Sequence, residues 1–391
     1  MQITPSCSEL KKRGGARCIC LKEEQLPSSP HFKKLIKRYL QMFFKESLPK
    51  RDFHNGLVGC GHFVRCAYIP TLNKPDNPIV SSGLYSRSIQ SSENVSRMLR
   101  YKTKVFSSYE ELVNSGIKAV IITAPNHLHY HYIAESLKRN LDVFCEKPIA
   151  NSLEDALRIK SLVQNSRNVL MIGFNRRYLD RIRKLKSIVE DGAIGKVKEV
   201  HAFHRQNAGD NLLKSDWMSD KNKSGGGVLH NAGIHLVNMM LYIFGRIDRV
   251  SSEFQNIKMP ISCGEDTASC RFIFKSGVCG FLKASSVSDV DFAHEGITIM
   301  GDKGVITSDV LGNNIIAIKD NSNSINTIYC NKEFIPDSVY NELAHFYNCV
   351  KHRKAPDTDI DDSIETMKVI KAAYISAIEK KEVCVDEIGK T

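Results

Sequence analysis

Residues 53–63, Phe-His-Asn-Gly-Leu-Val-Gly-Cys-Gly-His-Phe, decide how the rest of the chain is read. A short apolar run, Gly56–Val58, stops at Gly59-Cys60-Gly61, and a helical pattern opens near Phe63. Glycine after a strand and before a helix lets the backbone turn tightly. It also lets a pyrophosphate approach the free amides of the helix N-terminus. The third glycine of G-x-G-x-x-G would fall at Val64, so the motif is incomplete and its weight depends on the strands and helices downstream of it. Gly59, Gly61, His62 and Phe63 are the cofactor-binding candidates of this turn.

Toward the C-terminus, Ile79–Tyr85, Ala119–Thr123, Asp142–Cys145 and Val169–Phe174 read as further apolar strands, with helical patterns such as Tyr109–Gly116 and Tyr130–Arg139 between them. Strands without a polar face, alternating with helices, predict a parallel sheet covered on both sides. From about 195 to 330 the pattern changes. In Asp266–Lys275, Ala268, Cys270, Phe272 and Phe274 alternate with Ser269, Arg271, Ile273 and Lys275. Ser276-Gly277 turns this run into Val278–Ala284, and Gly301-Asp302-Lys303-Gly304 makes a second tight connection. The expected fold is α/β: a Rossmann-type parallel-sheet domain over 52–175, then an α+β domain over 176–391. The second domain has a large, mainly antiparallel sheet and helices at about 337–352 and 361–380.

Four places carry chemistry. The end of the second strand reads Tyr85-Ser86-Arg87-Ser88, without the acid that would accept from both hydroxyls of an NAD ribose. Ser86 and Arg87 suit a 2′-phosphate, so NADP(H) is favoured over NAD(H). Glu146-Lys147-Pro148 closes the strand Asp142–Cys145, and ligands of open sheets sit beyond such strand ends. A lysine there can donate to a reacting oxygen. The run Gly225-Gly226-Gly227-Val228-Leu229-His230-Asn231-Ala232-Gly233-Ile234-His235 puts three glycines ahead of a helix expected over 228–244. On it Asn231 and His235 would share a face. Histidine is suited to take a hydroxyl proton near neutral pH, and the glycines favour that role over a plain core position. His127, His129 and His131, spaced by two, would share a face only in a strand, so no metal site is expected.

These stretches, together with Ala124-Pro125-Asn126-His127-Leu128-His129 and Gly173-Phe174-Asn175-Arg176-Arg177-Tyr178, resemble the glucose–fructose oxidoreductase and inositol dehydrogenase (Gfo/Idh/MocA) family. The resemblance runs from about 52 to 385 and includes Tyr340-Asn341-Glu342-Leu343. It implies hydride exchange between a nicotinamide and a sugar, cyclitol or nucleotide-sugar hydroxyl. Lys147 and His235 would be catalytic, and Arg177, Tyr178 and Asn231 would meet substrate. Pro125, Asn126, His129 and Glu146 would lie with Lys147 near the cofactor. The departure is Asn231, where many members carry aspartate. That departure leaves a second reading open, a cofactor-binding sensor with little catalysis.

Composition bounds the rest. A hydrophobic share of 42% and a charged share of 25% are those of a globular chain of 391 residues with room for two domains. Of the net +12, residues 1–52 carry +7, from twelve Lys and Arg against five Asp and Glu. A basic leader on a near-balanced body argues against a nucleic-acid groove. Residues 1–51 form a separate extension, expected to be partly disordered, with a basic amphipathic helix over 31–46. No run approaches the roughly 18 apolar residues of a membrane span. Twelve scattered cysteines are those of a reducing compartment. A cytoplasmic homo-oligomer, dimer or tetramer, acting on a small molecule is expected.

Overall fold

The structure, a computed structural model, describes residues 53–290, 293–311, 315–320, 322, 325–330 and 333–389. The basic extension and the helix expected over 31–46 lie outside the described residues. Six strands form the first sheet: β1 (Phe53–Val58), β2 (Ile79–Tyr85), β3 (Lys104–Val105), β4 (Ala119–Ile122), β5 (Asp142–Glu146) and β6 (Leu170–Gly173). Their order is β3-β2-β1-β4-β5-β6 and every pairing is parallel. The direction of winding reverses between β1 and β4, which opens a crevice at their carboxyl ends.

Apolar strands permit this sheet because both faces are covered. Val58, Val120, Ile122 and Val143 enter one core, while Leu57, Leu84, Ile121 and Phe144 enter the other. The covering helices are α1 (Ile69–Leu72, continuing a π-turn at Val64–Tyr68), α2 (Ile89–Met98), α3 (Tyr109–Val113), α4 (His129–Lys138) and α5 (Leu153–Gln164). Ser88, Ser108 and Ser152 start α2, α3 and α5, each hydroxyl accepting from a backbone N–H three positions along the chain. Neither β3 nor α2 is expected from the sequence pattern. Two strand residues and a polar helix leave little apolar periodicity.

The second sheet has nine strands: β7 (Val197–Arg205), β8 (Ile247–Gln255), β9 (Thr267–Phe274), β10 (Cys279–Ser285), β11 (His294–Gly301), β12 (Gly304–Leu311), β13 (Ile315–Asp320), β14 (Ile325–Tyr329) and β15 (Val383–Cys384). Their order is β14-β13-β12-β11-β7-β10-β9-β8-β15, antiparallel except where β7 meets β10. The alternation expected around Asp266–Lys275 is the burial pattern of β9. There Ala268, Cys270, Phe272 and Phe274 are buried and Ser269 and Arg271 exposed. The remaining helices are α6 (Asp180–Glu190), α7 (Gly209–Leu213), α8 (Lys221–Ser224), α9 (Ile234–Phe244), α10 (Ile335–His352) and α11 (Ile360–Glu379).

The helix expected over 228–244 is in two pieces. Leu229–Gly233 is a π-turn, and only Ile234–Phe244 is α-helical. Lys221–Phe244 is long and apolar enough to cross a membrane by composition, and its apolar window is 72% buried inside the fold.

Residues 51–391 cohere as one unit. The closing helices explain why. Val339, Leu343 and Phe346 of α10 pack on the parallel sheet, where Phe346 meets Phe53 and Phe144 edge-on at 6.1 and 5.7 Å. α11 lies under the second sheet, where Ala373 O accepts from the Ser252 hydroxyl, and its Lys371 reaches Glu154 of α5. The C-terminal segment, assigned by sequence to the second domain, thus fastens both sheets.

Candidate active site

The turn Gly59–Gly61 sits at the carboxyl end of β1. Gly59 has φ +94°, and its N–H donates to Tyr85 O at 2.8 Å. A Cβ there would lie 2.7 Å from the backbone of Thr123 and Ala124, so only glycine lets β1, β2 and β4 end this close together. At Gly61 a Cβ would meet nothing within 4 Å, so that side of the turn is open to a ligand. Val64, in the place of the third glycine, is buried in the helix–sheet core. His62 is exposed and lies against Cys66, its Nε2 3.4 Å from the sulfur. Phe63 is 40% exposed and meets Tyr68 edge-on.

Ser86 is half-buried and Arg87 exposed at the end of β2. Beyond β4, the half-buried Pro125 opens a 3₁₀ turn, Asn126–Leu128. Asn126 is buried, and its Nδ2 donates to Ser224 O at 2.5 Å. Its Oδ1 has no partner among the described residues. The ring of His127 is held below the ordinary imidazole range, first by burial and then by Arg87 and Lys223. An open glycine turn and a buried carbonyl without a donor fit a dinucleotide at these strand ends.

His129, expected near the cofactor, has both ring nitrogens against backbone carbonyls. Its two ring nitrogens lie 2.8 Å from Pro148 O and 2.8 Å from Ala124 O. Both carbonyls favour a charged ring, but burial outweighs them and lowers its pKa to about 4. Neutral, the ring has one N–H and donates to one of these two carbonyls, which lie in the loops after β5 and β4. Glu146 too is engaged within the protein. Its carboxyl accepts from the Tyr68 hydroxyl at 2.6 Å inside the core, and burial raises its pKa. Below it Glu342 is fully buried, with no partner for either oxygen among the described residues. Burial and the neighbouring Glu146 push it well above the carboxylate range, so Glu342 holds a proton.

Lys147 follows β5, and its Nζ donates to the backbone O of Asn231 at 2.6 Å. Burial lowers the ammonium to about 8, with Arg176 adding to the fall and Glu146 and Glu295 opposing it. His235, at the start of α9, is buried and its Nδ1 has no partner among the described residues. Burial, then Lys147, Arg176 and His204, hold it well below the ordinary range, so the ring is neutral near pH 7. A neutral imidazole thus stands beside an ammonium poised to lose or keep its proton. That is the equipment for moving a hydroxyl proton.

The three glycines bring this helix in. A Cβ at Gly227 would lie 2.0 Å from Glu265 O. The Glu265 carboxylate accepts from the N–H of Gly227 and of Leu229 at 3.1 and 2.9 Å. Asn231 does not stand one α-turn before His235, because the intervening π-turn changes the register. Its side-chain Nδ2 turns back to Gly226 O and Gly227 O, at 3.3 and 3.1 Å.

Arg177 and Tyr178 are not brought to Lys147 and His235. Arg177 pairs with Asp362, donates to Asp357 O at 2.9 Å and stacks over Tyr242. Tyr178 is 1% exposed in the core, with its hydroxyl 3.2 Å from Thr358 Oγ1. The 3₁₀ turn Asn175–Tyr178 sends successive side chains in different directions, and Arg176 is the one that faces the site.

Arg176 forms a two-point pair with Glu295 of β11, at 2.9 and 3.1 Å. His204 Nδ1, on β7, is 2.9 Å from the same carboxylate. Burial would raise Glu295, but Arg176 and His204 outweigh it and lower it to about 2. Neither Glu295 nor His204 is among the site residues expected from sequence. The signal was parity: Glu295, Ile297 and Ile299 share one face of β11, as Val200, Ala202 and His204 share one face of β7.

Comparison with known proteins agrees with this geometry. Residues 53–174 match the model of an oxidoreductase family with an NAD-binding Rossmann fold, and residues 182–307 match the GFO/IDH/MocA C-terminal domain. Myo-inositol 2-dehydrogenase of Thermotoga maritima is 25% identical over 345 residues, 85% of this chain and 98% of that one. Glucose-6-phosphate 3-dehydrogenase of Bacillus subtilis is 30% identical over 190 residues, which spans 48% of this chain and about half, 53%, of that enzyme. A structure of levoglucosan dehydrogenase with NADH and levoglucosan shares the fold at a TM-score of 0.79 and 18% identity, covering 85% of this chain and 99% of that one. The chain belongs to the GFO/IDH/MocA family of oxidoreductases with an NAD-binding Rossmann domain.

Proposed function

We propose that the protein is a dehydrogenase or reductase that interconverts a hydroxyl and a ketone on a sugar, cyclitol or nucleotide sugar. The observation that carries this is the half-buried Lys147, at the carboxyl end of β5, close to the buried His235 of α9. The bound nicotinamide supplies hydride transfer. Neutral His235 takes the hydroxyl proton, and the Lys147 ammonium stabilises the negative charge developing on that oxygen. Asn231 acts through its backbone carbonyl, which aims Lys147. The relatives' names support a polyol substrate.

NADP(H) is preferred over NAD(H), because Arg87 stands where an acid would repel the 2′-phosphate. The nine cysteines among the described residues are free, which supports a reducing, cytoplasmic setting. The outer face of the second sheet, where His201 stacks on Phe281 beside Phe203, Arg271 and Lys283, supports a homo-oligomer.

Fluorescence titration with each cofactor, followed by a panel of polyols, sugars and nucleotide sugars, tests the reading. Tight cofactor binding and turnover of one member is the expected result. Tight binding with no turnover of any member makes the protein a sensor, and the reaction proposed here falls.

A further inference from the structure

The carboxylate of Glu295 lies in the same buried region as Lys147 and His235 but belongs to neither residue. It is 0% exposed, and it is saturated by Arg176 Nε and Nη2 and by His204 Nδ1. Arg176 is itself fixed, because its Nη1 donates to Asn175 Oδ1 at 3.1 Å. An ionised carboxylate can only accept, so a neutral His204 carries its one proton on Nδ1 and presents Nε2 as a bare acceptor. That Nε2 is buried and has no partner among the described residues, on a residue 3% exposed.

Position turns this into a functional statement. In the sheet His204 pairs with Ala284 on one side and Glu295 on the other. Ala284 packs beside Gly233, the residue before the helix that carries His235. His204 and His235 also lie close enough for their charged forms to interact. The empty acceptor therefore stands next to the candidate base. A buried acceptor with no donor costs stability unless a ligand completes it.

We propose that Glu295 is a positioning residue of the active site, holding His204 in the tautomer whose bare Nε2 accepts a hydrogen bond from a second hydroxyl of the bound substrate. This role rests on the polyol reading above and adds what the site asks of the polyol: a donor hydroxyl besides the one that reacts. Glu295 also returns to the region a negative charge that Asn231 does not supply, and does so from a strand of the other sheet.

Glu295→Gln separates this role from a purely structural one. The glutamine carbonyl still accepts from Arg176, but its amide faces His204 and makes Nδ1 the acceptor. Two-bond ¹H–¹⁵N spectra of histidine-labelled protein should show His204 protonated on Nδ1 in the wild type and on Nε2 in the variant. KM should rise about tenfold or more, as expected when a substrate hydroxyl loses its partner, while the cofactor Kd stays unchanged. Should Glu295→Gln fail to fold, His204→Phe keeps the Arg176–Glu295 pair and should show the same rise in KM.

A wild-type His204 protonated on Nε2, alone or together with Nδ1, overturns the proposal, and so does a His204→Phe enzyme with unchanged KM. The tautomer is read without turnover. A polyol panel that gives no activity therefore sinks the proposed reaction and leaves Glu295 to be judged on the ring alone.

Discussion

The two sheets serve the site in different ways. The parallel sheet works through its strand ends: Gly59–Gly61 after β1, Ser86 and Arg87 after β2, Asn126 after β4 and Lys147 after β5. The second sheet works through one face, on which His204 and Glu295 stand among Val200, Ala202, Ile297 and Ile299. Strand ends leave the backbone free to meet a cofactor, whereas a covered face gives fixed, desolvated side chains. The division suits a reaction in which one partner is a large anion bound by backbone and the other a small polyol bound by side chains.

The largest effect should fall where the two contributions meet. Lys147→Ala and His235→Ala should each lower turnover by about 10²–10⁴, the usual span for losing a general acid or base. Their double variant should lose less than the product, because both act on one proton and one oxygen. Steady-state rates at saturating cofactor give this directly. A His235→Ala enzyme with near wild-type turnover would make the second sheet's helix a bystander and remove the mechanism.

The adjacent arginines, both buried, sharpen the contrast between a fully buried carboxylate and a partly exposed one. Arg176→Ala leaves the fully buried Glu295 without its two-point partner, a change that costs about 3–5 kcal/mol in comparable pairs. Arg177→Ala breaks a pair whose Asp362 is 35% exposed, together with the stacking on Tyr242. Solvent screening limits that loss to about 1–2 kcal/mol. Denaturant unfolding of the two variants should rank them in this order. Equal losses would mean that Glu295 is not the committed carboxylate described here.

The same division decides how much can be read from sequence. Strand ends announce themselves: Gly59-Cys60-Gly61, Glu146-Lys147-Pro148 and the three glycines before His235 are punctuation with a spacing, and Lys147 and His235 are indeed neighbours. Ile79–Tyr85 is legible to the residue, although Ser81, Ser82 and Gly83 interrupt its apolar run. Glu295 announces itself only by lying in phase with Ile297 and Ile299, and the register that sets it against His204 is a long-range fact. A motif does not say which way a 3₁₀ turn points each side chain, so it cannot tell Arg176 from Arg177. Polar residues beside a motif look alike until their partners are known, as His129 and Glu146 show by bonding within the protein.

At the parallel sheet's edge the expected effect is smaller. Arg87→Ala should weaken NADP(H) by more than about tenfold, the worth of one charged phosphate contact at about 1.5–3 kcal/mol, and leave NAD(H) nearly unchanged. Fluorescence titration with both cofactors measures the ratio. An unchanged ratio would place the 2′ position elsewhere and return Arg87 to the surface.

The smallest effect, and the most informative about charge, concerns Asn231. Burial and the cations around it keep His235 neutral down to well below the ordinary imidazole range, so the acidic limb of the rate profile should lie below pH 6.5. Lys147, lowered to about 8, should set the alkaline limb, since activity falls as its ammonium is lost. Asn231→Asp adds a negative charge near both groups. Negative charge favours the protonated form of each, so both limbs should move to higher pH, by up to about one unit. The same change removes the donor that ties residue 231 to Gly226 O and Gly227 O, and sets a carboxylate against two carbonyls. That should cost about 1–3 kcal/mol of stability, as for a buried bond left unmade. Asn231→Leu serves as the control: it loses the same bonds and adds no charge, so it should destabilise similarly while both limbs stay in place. If the aspartate and leucine variants share one profile, the limbs do not report the charge at 231. The electrostatic balance of the site would then rest on Glu295 alone.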